Sequence, residues 1–248
     1  MKVVVIGGTG LIGSKVVAKL TEHGHDAVAA APSTGVDTLT GRGLAEALAG
    51  ADVVVDVSNA PVWEDDAVLE FFETSTRNLL TAEQAAGVRH HVAVSVVGTE
   101  LLLDSGYFRA KLAQEKLIES SPVPFSIVRA TQFFEFVPSI ADASTDGARV
   151  HLKHVFFQPI AGADVAQAVA RVAVGSPLNG TLNVAGPERF RMDDFFRDVL
   201  AAGNDPREVV TDPDAVYFGI SPSEYALVPG DDAQRGETPY GEWARHNS

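Results

Sequence analysis

Apolar residues are distributed along this chain in two alternating ways. Short continuous runs near 2–6, 26–31, 52–57, 91–97, 124–129 and 181–184 predict strands. Between them, apolar positions recur at helical spacing near 11–22, 43–49, 65–86, 107–120, 163–174 and 192–202. Gly50 and Gly87 stand where a helix end favours a left-handed residue. Buried strands in alternation with helices predict an α/β fold, a Rossmann-like doubly wound parallel sheet with a small irregular C-terminal substrate-binding region. One connection is too short for that scheme. Only Pro32-Ser33-Thr34-Gly35-Val36 separate the second strand from Asp37, and a crossover takes about a dozen residues. The third strand of such a sheet is therefore either vestigial or trimmed away.

Regularity falls after Arg129. The stretch TQFFEFVPSIADASTDGARVHLKHVFFQPI is rich in aromatic and turn residues, with a hairpin expected around Asp146-Gly147. It reads as an insertion that builds a pocket wall. The tail from Thr211, punctuated by Pro213, Pro222, Pro229 and Pro239, reads as loops packed on the surface. The expected organisation is one domain over 1–248. Residues 1–131 form a dinucleotide-binding core, and 132–248 supply mostly pocket segments, with some elements returning to the core.

Composition narrows the class. With 248 residues, 46% of them hydrophobic, a single sizeable core is feasible. The net charge of −14 argues against nucleic acid as a partner, because a phosphate backbone would be repelled. There are no cysteines, which removes disulfides, thiolate metal sites and cysteine nucleophiles. No apolar run has transmembrane length, so no membrane partner is expected. A strand from residue 2 leaves no room for a leader, and the expected address is cytoplasmic. Oligomeric state is not readable.

The chemistry begins at the first turn. KVVVI runs straight into Gly7-Gly8-Thr9-Gly10-Leu11-Ile12-Gly13 and then an amphipathic helix. Strand, glycine turn and helix are the context in which G-x-G-x-x-G (Gly8, Gly10, Gly13) points to a dinucleotide. Backbone without Cβ atoms approaches the pyrophosphate, and the helix N-terminus offers free donors and partial positive charge. Gly7, Thr9, Gly10, Leu11, Ile12 and Gly13 are thus cofactor candidates. At the end of the second strand no carboxylate precedes Asp37, so a 2′-phosphate meets no repulsion. Ser33 and Thr34 are placed to donate to it, and NADP(H) is favoured over NAD(H). Lys15 and Arg42 read as surface residues.

Tyr107 and Lys111 lie four residues apart on one predicted helix face, with Ser95 twelve residues upstream at a strand end. An ammonium near a phenol lowers its pKa, and the phenol can then give a proton to a carbonyl oxygen as hydride reaches carbon. A strand-end serine can hold the same oxygen. Together with GGTGLIG, these residues and the stretch AGVRHHVAVSVVG…YFRAKLAQEKLI…PFSIVRATQFFEF resemble the short-chain dehydrogenase/reductase superfamily, most closely its atypical NmrA-like NAD(P)-binding branch. The likeness runs from residue 1 to about 190. It implies that Tyr107 is the proton donor, that Lys111 binds the nicotinamide ribose and lowers the tyrosine pKa, and that Ser95 positions the carbonyl. It implies too that Ser58, Asn59 and Ala60 lie along the cofactor and that Ala130, Thr131, Gln132 and Phe133 close over the nicotinamide. Ala130 departs from the related pattern, which has proline there. Asn78 lies on the helix of the superfamily's relay asparagine, but at the wrong turn.

The expected function is a reductase or dehydrogenase acting on an apolar or aromatic carbonyl or alcohol, with Phe133, Phe134 and Phe157 lining the substrate pocket. Two alternatives stand beside it. One is a non-catalytic NADP(H)-binding redox sensor that docks on a protein partner. The other is a nucleotide-sugar epimerase or dehydratase, against which the phenylalanine-rich segment argues. His151-x-x-His154 and the pair His90-His91 read as solvated histidines, and no metal site is expected.

Overall fold

The structure, a computed structural model, describes residues 1–247. The chain runs through β1 (Lys2–Ile6), α1 (Leu11–Glu22), β2 (Asp26–Ala30), α2 (Leu44–Leu48), β3 (Val53–Asp56), α3 (Asp65–Ala86), β4 (His90–Val96), α4 (Gly106–Glu119) and β5 (Phe125–Ala130). The less regular half adds α5 (Val137–Ala143), β6 (Thr145–Asp146), β7 (Arg149–Leu152), β8 (Phe156–Phe157), α6 (Gly162–Val174), β9 (Gly180–Ala185), β10 (Phe190–Arg191), α7 (Met192–Ala202), β11 (Glu208–Thr211), β12 (Gln234–Arg235) and α8 (Tyr240–Asn247).

Among the described residues, seven strands form one parallel sheet in the order β12-β9-β5-β4-β3-β1-β2. Alternate side chains on each strand serve opposite faces. Val3 and Val5 of β1 pack with Val16 of α1 and Val165 and Val169 of α6. Val4 and Ile6 pack with Leu44 and Leu48 of α2 and Leu79 of α3. Being covered on both sides is what makes these strands continuous apolar runs. The short connection resolves as trimming. After β2 the chain makes a 3-10 turn at Pro32–Thr34 and a five-residue helix, and β2 is the sheet edge. Strand order reverses between β1 and β3, and the crevice at the carboxyl ends beside that reversal is where an open α/β sheet binds ligands.

The second half departs from expectation in the tail. The 146–149 hairpin forms between β6 and β7. The tail, however, is not a surface wrapping: Tyr217, Ile220, Ala226 and Leu227 are buried in a second core with Phe108, Val150, Phe157, Phe195 and Phe196. β11 pairs with β7, β12 joins the main sheet beside β9, and residues 240–247 form a helix. The prolines mark the turns correctly, but the apolar residues between them dock inward. No helix among the described residues is long and apolar enough to cross a membrane.

One close approach sets the position of α1. A Cβ built on Gly13 would lie 2.1 Å from the Gly7 carbonyl oxygen and 2.7 Å from Gly8 Cα, both backbone atoms that cannot turn aside. Gly13→Ala is therefore expected to cost about 1–3 kcal/mol of stability by overpacking, measured by urea unfolding against the native chain.

Candidate functional site

The first loop tightens under glycine control. Gly7 sits at φ 74°, a left-handed conformation that favours glycine, and its amide donates to Ala30 O at 2.9 Å. Gly10 is the N-cap of α1, and its carbonyl accepts from Ser14 N at 3.0 Å. The amides of Leu11, Ile12 and Gly13 thus open the helix without helical acceptors. Thr9, Gly10 and Leu11 are exposed, whereas Ile12 is buried in the core. A Cβ on Gly7 would touch Ser58 N at 3.0 Å, so the glycine turn and the loop after β3 lie against each other. In that loop Ser58 is half-buried, Asn59 exposed and Ala60 buried.

At the end of β2, Ser33 and Thr34 are exposed, and Thr34 Oγ1 closes its own turn by accepting from Ala31 N at 2.9 Å. Asp37, the first acid beyond the strand, caps its own loop through Leu39 N at 2.9 Å.

The carboxyl ends of β4 and β5 carry buried polar groups without settled partners. Ser95 Oγ and Thr131 Oγ1 make no hydrogen bond, and each residue is 2% exposed. Neither Nε2 nor Oε1 of buried Gln132 forms a well-aligned bond, although its amide lies close enough to Tyr217 to oppose the rise that burial causes in that phenol. Buried polar groups are nearly always satisfied, so three orphans at adjacent strand ends mark a place built for a polar guest. The groups present fit a nicotinamide dinucleotide: glycine turn, free helix amides and these strand-end donors and acceptors.

α4 brings Tyr107 and Lys111 to this crevice. Lys111 is 3% exposed, and its Nζ donates to Val94 O at 2.9 Å and to Gln114 Oε1. The ammonium also lies 4.4 Å from the Phe72 ring centre. Burial lowers its pKa to about 8, against the pull of Asp56 and Glu115. Tyr107 is half-buried among Phe72, Phe108, Trp63 and Phe218, and burial pushes its phenol up to about 12. The expected lowering by Lys111 does not operate in this arrangement, because Nζ is drawn to β4 and Gln114.

The phenylalanine wall needs correction. Phe134 is 1% exposed, packed on Tyr240 and Trp243, and Phe157 is 0% exposed between Phe195 and Phe196. Neither presents surface to a guest. Phe133 is partly buried and stacks on Phe136 at 5.5 Å. The open aromatic surface lies elsewhere. Trp63 (60% exposed) and Phe218 (48%) stand 5.8 and 6.3 Å from Tyr107, ring centre to ring centre. The tail aromatics Tyr217, Phe218 and Trp243 were legible as pocket caps or tail staples, whereas the loop of Trp63 carries no periodicity that would have singled it out.

Of the histidines, His90 and His91 are buried rather than solvated, whereas His151 and His154 face solvent as expected. His91 is buried with Nδ1 2.7 Å from Glu83 Oε1, and His90 Nε2 lies 2.8 Å from Ser126 Oγ. Burial holds His90 down at about 4. His151 and His154 each take a carboxylate, Asp212 at 3.0 Å and Asp193 at 2.8 Å. Arg129 is clamped by Glu115 through two bonds of 3.0 and 2.7 Å. Asn78 holds the β2–α2 loop through Thr38 O and Leu39 O. Two residues escaped the sequence reading. Asp56 is a carboxylate inside the run VVVDV, and that alone was a signal. Gln114 carries none.

A parallel sheet with this strand reversal and a glycine turn at its crevice define a Rossmann-like nucleotide-binding fold. The chain belongs to the NAD(P)H-binding family, whose model matches residues 7–174. No curated protein matches it. Among solved structures it is similar to a dTDP-4-dehydrorhamnose reductase from Clostridium acetobutylicum, with 16% identity, 100% and 98% of the two chains covered and a TM-score of 0.73. It is similar as well to a short-chain dehydrogenase/reductase superfamily protein from Agrobacterium tumefaciens with bound NAD (19%, 99% and 95%, 0.74). A third likeness is to dTDP-4-dehydrorhamnose reductase from Bacillus anthracis in complex with NADP (15%, 99% and 92%, 0.69). At such identities the likeness is one of fold.

Proposed function

We propose that this chain is an NADP(H)-dependent oxidoreductase of the short-chain type, acting in the cytoplasm on an apolar or aromatic carbonyl or alcohol. The observation that carries the reading is the set of unsatisfied buried groups, Ser95, Thr131 and Gln132, at the strand ends. Bound there, the dinucleotide supplies or accepts the hydride. Gly7, Thr9, Gly10, Leu11, Ile12 and Gly13 hold its pyrophosphate; Ser58, Asn59 and Ala60 flank it. Ala130, Thr131, Gln132 and Phe133 enclose the nicotinamide end. Ser95 steadies the substrate oxygen, Tyr107 gives or takes its proton, and Lys111 binds the ribose. That no carboxylate stands between the end of β2 and Asp37 supports the phosphate-bearing cofactor, with Ser33 and Thr34 beside it.

The substrate class rests on Trp63, Phe218 and the Tyr107 ring, which give an open aromatic cluster beside the phenol. The Clostridium and Bacillus reductases are named for a nucleotide sugar. Half-exposed indole and phenyl rings here favour a less polar guest. A second reading, a non-catalytic NADP(H) sensor, is favoured by one observation: the Tyr107 phenol sits high, with Lys111 turned from it.

Three measurements test this. A Cβ on Gly10 meets only Gly7 O, at 3.3 Å, so Gly10→Val is expected to fold yet lose NADPH binding in calorimetry. In the same titration the native chain binds NADPH more tightly than NADH; equal or reversed affinities sink the cofactor assignment. Tyr107→Phe keeps NADPH affinity and lowers turnover of an aromatic ketone, aldehyde or quinone by about 10²–10⁴-fold, the range for a lost general acid. Native rates in that variant, or no NADPH oxidation over the whole panel, turn the assignment to the sensor. Trp63→Ala raises KM for aromatic substrates by about tenfold, equivalent to about 1.4 kcal/mol, and leaves small aliphatic ones unchanged; an equal effect on both would remove the aromatic specificity.

A further inference from the structure

A chain of buried hydrogen bonds links the loop after β3 to Lys111. Asp56, at the end of β3, is 2% exposed. Its Oδ1 accepts from Ser58 N at 2.9 Å and Ser58 Oγ at 2.6 Å. Its Oδ2 accepts from Gln114 Nε2 at 3.0 Å. Gln114, itself 1% exposed, turns its other end to Lys111, whose Nζ donates to Oε1. A carboxamide donates at one end and accepts at the other without net charge. It is therefore suited to stand between a carboxylate and an ammonium, oriented by both.

We propose that Gln114 is a positioning residue of the dinucleotide site: it couples the charge of Asp56 to Lys111 and holds that ammonium protonated at the end of β4. The proposal deepens the oxidoreductase reading and rests on it for the lysine's role toward the cofactor. The surroundings show why such coupling is needed. Facing the ammonium are the Val94 carbonyl from β4, the Phe72 ring from α3, Asp56 from β3, and Gln114 and Glu115 from α4. Glu115 is already clamped by Arg129 from β5, which is also paired with Glu100. Glu83 and His91 form their own buried pair, and their charges reach Asp56. Asp56 is thus the buried carboxylate left to Lys111, and Gln114 is the only group that bridges them among the described residues. Without the bridge, burial has less opposing it. A buried charge that loses its partner neutralises rather than staying charged.

The sign follows directly. Lys111 is charged below its pKa and neutral above it, so its service to an anionic cofactor is present at low pH and lost as pH rises through about 8. Gln114→Leu removes the acceptor and uncouples Asp56, so that midpoint moves down by about one unit. At pH 8 the charged fraction falls from about half to about a tenth, and NADP⁺ affinity weakens about fivefold beyond the native loss. Gln114→Glu puts a carboxylate directly on the ammonium and moves the midpoint up. A residue that only fills space would lower stability in both variants without shifts of opposite sign.

The test is a ¹³Cε NMR titration of Lys111, one of six lysines, assigned with Lys111→Arg, in the native chain, Gln114→Leu and Gln114→Glu. The Kd for NADP⁺ is measured over pH 6–10 alongside. Opposite shifts of the Lys111 midpoint are the expected result. Unchanged midpoints, or shifts of the same sign, overturn the proposal. If Gln114→Leu does not fold, Gln114→Met, closer in shape and equally unable to bridge the two charges, decides: a downward shift supports the coupling and none overturns it. Opposite NMR shifts in a chain that binds no NADP⁺ at any pH would leave the coupling standing and overturn the dinucleotide reading.

Discussion

The seat of α1 on the first loop governs the rest of the molecule. Gly13 lies so close to the Gly7 carbonyl and the Gly8 backbone that no side-chain carbon fits between them. That contact brings the helix down onto the end of β1 and aims its first amides along the sheet's carboxyl edge. It also sets where α6 lies, because Val16 and Leu20 share one apolar cluster with Val165 and Val169. Through Gly7 the same turn touches Ser58, and through Ser58 it reaches Asp56. A steric requirement at one helix start thereby aligns the crevice, its donors and its buried acid.

The interior beneath the crevice is polar to an unusual depth for such an apolar sheet. Asp56, Gln114, Lys111, Glu115, Glu83 and both adjacent histidines are all less than 4% exposed. Each buried charge carries a desolvation cost that a hydrophobic residue would avoid. Most are satisfied in pairs, as Glu115 is by Arg129 and His91 by Glu83. Ser95, Thr131 and Gln132 carry unpartnered atoms at neighbouring strand ends, while others lie on Thr76, Glu83, His90, His91 and Arg235. The first three are set apart by their place at the carboxyl edge of the sheet, beside the glycine turn.

The sheet was legible in the sequence because strands covered on both faces are largely apolar, and β1, β3, β4 and β5 announce themselves so. The shortened connection after β2 was legible by arithmetic, since five residues cannot hold a crossover. The glycine turn and the Tyr107–Lys111 spacing were local patterns and were read from their neighbours. What escaped was long-range. Asp56 and Gln114 meet across 58 positions, and nothing beside either residue foretells the other. The tail misled because proline marks where a chain turns but not what it packs against; Tyr217, Ile220 and Leu227 dock in a core formed by distant elements. Phe134 and Phe157 misled for a related reason: a phenylalanine in an irregular segment fills a core or a wall with equal ease, and only packing tells which.

β12 adds to the sheet's edge only after the whole of the second half has been laid down, and Phe218 comes to rest over Tyr107 at almost the same stage. During synthesis the earlier strands and their helices emerge first and can begin to collapse as a unit, at about 5–20 residues per second. Until residues 217–235 leave the ribosome, the second core lacks Tyr217, Ile220 and Leu227, and β9 has an open edge. An unpaired edge of that kind is a template for other strands. Residues 217–235 therefore act as a late closing step in the assembly of this core, and a nascent chain stalled before them would leave the β9 edge unpaired.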